Sequence, residues 1–369
     1  MKTDHKSRSK IVSSQHNFTS LELESVTQCP ACSGTKCHPL HCDLQDWTFN
    51  AVSGNWSLTQ CEHCGAAYLD PRPTVASIGR AYVSYYTHTQ SFGSIEYTSL
   101  SMLRRFRRRL VNGYAVWRFR LNVNEPSSVL GLVAAFLLPA YRKQIDHRFR
   151  NLPKRSDKEH LLLDVGCGDG GFLALSASCG WNVLGIDSDA EAIKQVKKRG
   201  LNALYGTLEL FDGRQNVFDC ITMNHVIEHL HDPEAALRIC LRLLKPGGRI
   251  WLETPNIDSY SHLRFGRFWR GLEAPRHLVI FSDKSLRQIL TKVGFVAVEA
   301  VSRPSSIYSM YASSKAIQSR VEQTTSKLPV AMRVGAFISK LSAVVRSKHR
   351  EQLTFIARKH DRHYLKSGA

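Results

Sequence analysis

From Leu161 onward the chain alternates short apolar runs with longer stretches in which apolar residues recur every three or four positions. The runs "LLLDVGCG", "WNVLGID", "NALYG", "FDCITM" and "GRIWLETP" read as buried strands, and "DAEAIKQVKKRG" and "PEAALRICLRLLKPGG" as helices between them. Strands joined by helical crossovers predict a doubly wound α/β sheet, mostly parallel. Further on, "FVAVEAV" (Phe295–Val301) and "EQLTFIARK" (Glu351–Lys359) read as two closing strands with helix-like chain between them.

Before this alternation the pattern is different. Five regions follow: a polar tail over 1–24, a cysteine-rich module over 25–73, a basic and amphipathic helical connector over 74–158, the α/β core over 159–301, and a basic helical insert with the last closing strand over 302–369. Internal repeats are absent. No apolar run reaches the ~18 residues of a spanning helix, and no apolar stretch follows the basic N-terminus as in a signal peptide, so a cytoplasmic setting is expected. There, the ten cysteines are better read as metal ligands, catalytic groups or small buried residues than as disulfides.

The formal net charge of +19 is unevenly placed. Residues 101–158 carry 14 Lys/Arg against 3 Asp/Glu, and residues 302–369 carry 13 against 3. The stretches 1–100 and 159–301 are each close to neutral. Basicity therefore belongs to two flanking segments and not to the α/β core.

Two C-x2-C knuckles, Cys29–Cys32 ("CPAC") and Cys61–Cys64 ("CEHC"), stand with 28 residues between them. Four thiolates suit a closed tetrahedral zinc site, which braces a module and has no open position for catalysis. Cys37, His38, His41 and Cys42 lie between the knuckles as alternative ligands.

"LLLDVGCGDGGF" runs an apolar strand into Asp164, Gly166, Gly168 and Gly170, a turn that lets backbone amides approach a ligand. Asp187 ends the next strand, where a carboxylate can take ribose hydroxyls. Taken in order, "LDVGCGDG", "GIDSDAEAI", "FDCITMNHVIEHLHDP" and "LKPGGRIWLETPN" resemble the successive motifs of class I S-adenosylmethionine-dependent methyltransferases, over roughly residues 159–301. The resemblance implies a Rossmann-like sheet with S-adenosyl-L-methionine as cofactor. It places Asp164, Gly166 and Gly168 at the methionine and ribose part, Gly170 with them among the cofactor-binding residues, and Asp187 at the ribose hydroxyls. Thr207 and Leu208 would border adenine, and Asn224 the sulfonium. The cysteine module, "CGAAYLDPRP" and "YVSYY" are also similar to bacterial methyltransferases of sugar and polysaccharide biosynthesis.

"NHVIEHLHDP" (Asn224–Pro233) holds the remaining chemistry. Read as a helix after the fourth strand, it projects His225, Glu228 and His229 from one face, and "LEAPRHLVIFS" adds His277. Three readings compete. His229 or His277 is a general base with Glu228 orienting it; or the four residues hold a second divalent metal, as similarity to ubiquinone-pathway and small-RNA 2′-O-methyltransferases implies; or they brace the helix start. Those enzymes have Glu at the position of His225, and imidazole there favours zinc or iron over magnesium. His231 reads as a turn residue.

In the basic flanks, "LRRFRRRLVNGYAVWRFRL" interleaves arginines with aromatics before the apolar "VLGLVAAFLLPA", and "PVAMRVGAFISKLSAVVRSK" sets Arg333 and Lys340 on one face of an apolar helix. Buried packing under a solvated charged face is the simplest account. Peripheral contact with the inner face of the cytoplasmic membrane comes next, ahead of nucleic acid. The expected function is O-methylation of a sugar, glycolipid or related small intermediate. RNA methylation through the basic flanks and a non-catalytic scaffold are the alternatives, and oligomeric state is left open.

Overall fold

The computed structural model describes residues 17–83, 100–154, 158–301, 307–319 and 347–361. Arg333, Lys340 and most of the tyrosine-rich segment after Tyr82 lie outside them. Strands β1 (Leu23–Glu24), β2 (Cys37–Leu44), β3 (Trp56–Cys61), β4 (Ala67–Leu69) and β5 (Arg72–Pro73) belong to the cysteine module. β2, β3 and β4 form an antiparallel meander, and β1 pairs with β5.

Helices α1 (Met102–Phe119), α2 (Val129–Leu137) and α3 (Pro139–Arg148) follow. α1 and α2 touch backbone to backbone: a Cβ on Gly113 would sit 1.8 Å from Ser128 O, and one on Gly131 would sit 1.8 Å from Leu110 O. Only glycine fits these two positions. Phe119 stacks on Phe149 just beyond α3, with ring centroids 4.4 Å apart, and both rings are buried with Leu162, Leu173 and Ile193 of the α/β core. The three helices are therefore packed onto the core.

The core runs β6 (Leu161–Val165), α4 (Gly171–Ser178), β7 (Asn182–Asp187), α5 (Ala190–Lys198), β8 (Ala203–Tyr205), β9 (Phe218–Asn224), α6 (Pro233–Leu243) and β10 (Leu244–Pro255). After α7 (Tyr260–Phe265) and β11 (Val279–Ile280) come α8 (Asp283–Val293), β12 (Val296–Ala300), α9 (Ile307–Ser319) and β13 (Gln352–Arg358). Seven strands form one sheet in the order β12-β13-β10-β9-β6-β7-β8. β6 to β10 are parallel, while β13 enters antiparallel against β10 and β12. Local chemistry sets the helix starts. Asp189 caps α5, Asp232 caps α6 with Pro233 as its first residue, and Ser282 and Ser285 form a capping box on α8.

β11 does not join the large sheet. It pairs antiparallel with β4, so the cysteine module's sheet is completed by a strand from the α/β part, in the order β11-β4-β3-β2. The boundary expected at residue 73 is thus a boundary in sequence only.

Where β13 begins, the buried Glu351 accepts hydrogen bonds from Ser261 N (3.2 Å) and Ser261 Oγ (2.7 Å). Burial outweighs those bonds and pushes its carboxyl up to about 7. The folded protein therefore holds this proton where an unfolded carboxyl, near ~4.3, has lost it. Stability from this site is full below that value and is lost as pH rises toward 8, by on the order of 2 kcal/mol. Denaturant titrations at pH 5 and pH 8 should show this fall in the wild type and a smaller one in Glu351→Gln. Equal falls would assign it elsewhere.

Candidate functional site

The turn between β6 and α4 carries Gly166, Gly168 and Gly170, all at left-handed φ (68°, 52° and 79°). A Cβ on Gly166 would lie 2.4 Å from Val226 Cγ2, so this turn lies directly against the histidine segment that leaves β9. Asp187, at the end of β7, accepts from Gly168 N (2.8 Å) and from Asp189 N (2.9 Å). Its carboxylate is thereby oriented beside the turn, and burial raises its pKa. Thr207 is exposed and Leu208 buried at the start of the turn after β8, while Asn224, partly buried, closes β9.

Asp164 is fully buried. Its Oδ1 accepts from Thr222 Oγ1 at 2.7 Å and from Arg150 Nη1, and among the described residues its Oδ2 has no partner. Burial raises its pKa and the Arg150 charge opposes that rise. Arg150 also donates to Thr222 Oγ1 (2.9 Å), and its guanidinium lies 3.8 Å from the centre of the Phe172 ring. Sequence reasoning missed Arg150, which looks like one more cation of the basic connector. A glycine cradle with one orphaned carboxylate oxygen, an oriented second carboxylate and a guanidinium fits a ligand that carries ammonium, hydroxyl and carboxylate groups.

The histidine segment corrects the expected helix. His225 has a left-handed φ of 55°, only the short 3₁₀ turn Ile227–His229 follows, and the α-helix starts at Pro233. His225, expected among the bases or ligands, has both ring nitrogens engaged. Nδ1 donates to Glu228 Oε1 (2.9 Å), and Nε2 accepts from Gln352 Nε2 (3.0 Å). His225 thus orients Glu228. His231, read as a turn residue, donates to Pro73 O (2.9 Å) and ties the core to the cysteine module.

Glu228, His229 and His277 converge, each offering a ligand atom within 4.8 Å of the others. Burial acts to raise the Glu228 carboxyl, but the His225 hydrogen bond and the neighbouring imidazoles outweigh it and hold the group down at about 2. Its Oε2 has no partner among the described residues. His277 is buried and donates from Nδ1 to Gly271 O (2.8 Å), which leaves Nε2 as a lone pair; burial lowers its pKa to about 4 despite nearby Glu273. His229 is half-buried and donates from Nδ1 to Arg276 O (3.0 Å), with the Tyr82 hydroxyl 2.9 Å from the same nitrogen. The arrangement can accept a proton, or it can hold a cation with two imidazoles and one carboxylate.

The cysteine module holds this cluster in place. Leu278 N donates to Glu228 O (2.8 Å), Leu69 N donates to Leu278 O (3.0 Å), and Ser282 Oγ donates to Cys64 O (2.8 Å). Arg276, fully buried, donates from both terminal nitrogens to Asp46 and from Nη1 to Ala81 O (2.8 Å). Cys29, Cys32, Cys61 and Cys64 come together with Sγ–Sγ separations of 3.6 Å for Cys29–Cys64 and Cys32–Cys61. Tetrahedral zinc at ~2.3 Å per sulfur requires sulfurs ~3.8 Å apart, so the set fits zinc. Cys37 and Cys42 are exposed on β2 and stand outside this group, as do His38 and His41.

Residues 139–300 match the family described as "Methyltransferase domain". The chain carries a class I methyltransferase domain. That domain match begins at α3, upstream of the boundary expected at 159, and so takes in Arg150. The ubiquinone biosynthesis O-methyltransferase of Xanthomonas oryzae pv. oryzae is 36% identical over 102 residues, 26% of this chain and 43% of that protein. That of Idiomarina loihiensis is 30% identical over 134 residues, 34% and 53% of the two chains. The matched segment thus spans about half or less of these curated relatives. Among solved structures, a SAM-dependent methyltransferase from Archaeoglobus fulgidus aligns over 59% of this chain and 93% of its own, with a TM-score of 0.41 and 21% identity.

Truncating Asp46 to alanine should leave the buried Arg276 guanidinium with only Glu273 as charged partner, Nε to Oε1 at 3.3 Å. The expected cost to the methyltransferase domain and its cysteine module is on the order of 3 kcal/mol. Urea unfolding of Asp46→Ala beside the wild type measures it; a change below ~1 kcal/mol would mean that Asp46 does not carry the contact.

Proposed function

We propose that this chain is an S-adenosylmethionine-dependent O-methyltransferase acting on a hydroxyl of a sugar, glycolipid or related small biosynthetic intermediate. The observation that carries the reading is the convergence of Glu228, His229 and His277 beside the glycine turn. When bound, the cofactor supplies an electrophilic methyl group on a sulfonium. Asp187 would hold the ribose hydroxyls, Asp164 and the turn glycines would line the methionine and ribose part, Thr207 and Leu208 would border the adenine, and Asn224 the sulfonium. Similarity to ubiquinone biosynthesis O-methyltransferases supports oxygen as the acceptor atom.

His229 is the member of the cluster that an acceptor can reach, because His277 is enclosed. With Nδ1 donating to Arg276 O, its Nε2 can take the proton of an acceptor hydroxyl, and the cofactor would supply the methyl group to that oxygen. Glu228, kept anionic, stabilises the resulting imidazolium. His277 stays neutral above about 4 and does not compete for that charge. Cys29, Cys32, Cys61 and Cys64 hold a structural zinc that fixes the module against β11.

Calorimetry should show S-adenosylmethionine binding by the wild type and by His229→Ala, and at least ~10-fold weaker binding by Asp187→Ala. Single-turnover rates of His229→Ala should fall roughly 10²- to 10⁴-fold. Metal analysis of the same proteins separates the readings. Equal zinc in wild type and His229→Ala is expected for a base, whereas extra metal lost on substitution would make the cluster a second metal site. Absent cofactor binding would overturn the function itself.

A further inference from the structure

The hairpin of α1 and α2 contributes nothing to the site described above, yet its surface is unusual. α2 has no polar side chain in its nine residues, VLGLVAAFL. Gly131 and Ala135 turn inward against α1, while Val129, Leu130, Val133, Phe136, Leu137 and the following Leu138 are exposed, Phe136 at 58% and Leu137 at 73%. The close backbone contacts at Gly113 and Gly131 hold α2 with that face outward. Trp117 of α1, 46% exposed, extends the face beside Phe136 with ring centroids 5.6 Å apart.

The charge of this segment is strongly biased to one sign. Residues 100–154 carry 12 Lys/Arg against 2 Asp/Glu, and α1 contains no acidic residue. Of the two acids, Glu125 pairs with Arg108 at 2.6 Å and Asp146 accepts from the Tyr114 hydroxyl at 2.9 Å. Arg104, Arg107 and Arg109 are exposed next to the apolar Met102, Leu103 and Phe106.

We propose that this hairpin docks on an anionic bilayer surface, with α2 lying in the membrane–water boundary and the α1 arginines among the lipid phosphates. A helix of nine residues is ~13 Å long, far short of the ~30 Å hydrocarbon core, so it lies in the boundary and does not cross. None of the described helices is long and apolar enough to span a membrane. Nucleic acid would engage the arginines but offers no apolar phase for α2. A second copy would cover α2 but would bring two arginine-rich helices together. Only an anionic bilayer satisfies both halves of the surface. The hairpin continues through α3 to His147 and Arg150, so docking brings the cofactor cradle near the bilayer. This inference stands apart from the choice of acceptor, since it rests on the hairpin alone.

Sedimentation of the full chain with vesicles of phosphatidylcholine alone, or mixed with phosphatidylglycerol, tests it. Binding is expected to the mixed vesicles, to weaken as salt rises, and to fall at least ~10-fold in the double variant Phe136→Asp, Leu137→Asp and in Arg104→Glu, Arg107→Glu. The substituted side chains are exposed, so thermal unfolding of each variant should match the wild type and show that folding is intact. Three results would each overturn the proposal: a chain that stays in the supernatant with mixed vesicles, a concentration-dependent dimer abolished by the aspartates, or salt-sensitive binding to an RNA oligonucleotide that survives them.

Discussion

The contact on which the site most depends is the buried pair between Arg276 and Asp46. Asp46 is itself fixed, accepting from Phe49 N at 3.2 Å and Ala51 N at 2.8 Å, so the guanidinium meets an anchored carboxylate. Burying two charges is costly, and geometry this complete is what offsets the cost. Because Arg276 directly precedes His277 and offers its carbonyl to His229, both imidazoles take their positions from a pair that reaches across to the cysteine module. A zinc-sized cluster of thiols is in this way tied to the histidine cluster.

Carboxylates and imidazoles alternate along the sheet's C-terminal edge. His147 Nε2 donates to Glu253 Oε2 at 2.6 Å, and Thr354 Oγ1 donates to the same oxygen at 2.8 Å. His225 lies between Glu228 and Glu253, with its Nε2 3.9 Å from Glu253 Oε1. Glu228 and Glu253 thus each have an imidazole nitrogen facing them, which is how the core can place several ionisable groups inside. Glu273 follows the same rule: burial acts to raise it, but Arg270, His277 and Arg276 hold it at about 2. Charge balance inside the core leaves the net positive charge of the chain to the flanks.

The parallel sheet was legible because strands buried on both faces carry unbroken apolar runs, and "LLLDV" or "FDCITMN" can be little else. The cysteine cluster was legible because two knuckles repeat a spacing. The histidine geometry was not, since nothing in "NHVIEH" announces the left-handed His225 that breaks the helical phase, although Asp232-Pro233 marks the true helix start. Arg150 was hidden by company, one arginine among many, and only folding brings it to Asp164. β11 was beyond reach for another reason: two residues are too few to show a period, and its partner β4 lies more than two hundred positions away.

That two-residue strand bears on how the chain can be divided. A cut at residue 73 follows the change in composition, yet it would strip β4 from Val279 and Ile280, Asp46 from Arg276, and Cys64 from Ser282. The α/β part alone would present an open strand edge and an interior cation with half its partners gone. The two parts are therefore packed as one unit, and deleting the module would expose surfaces that the α/β part cannot cover itself.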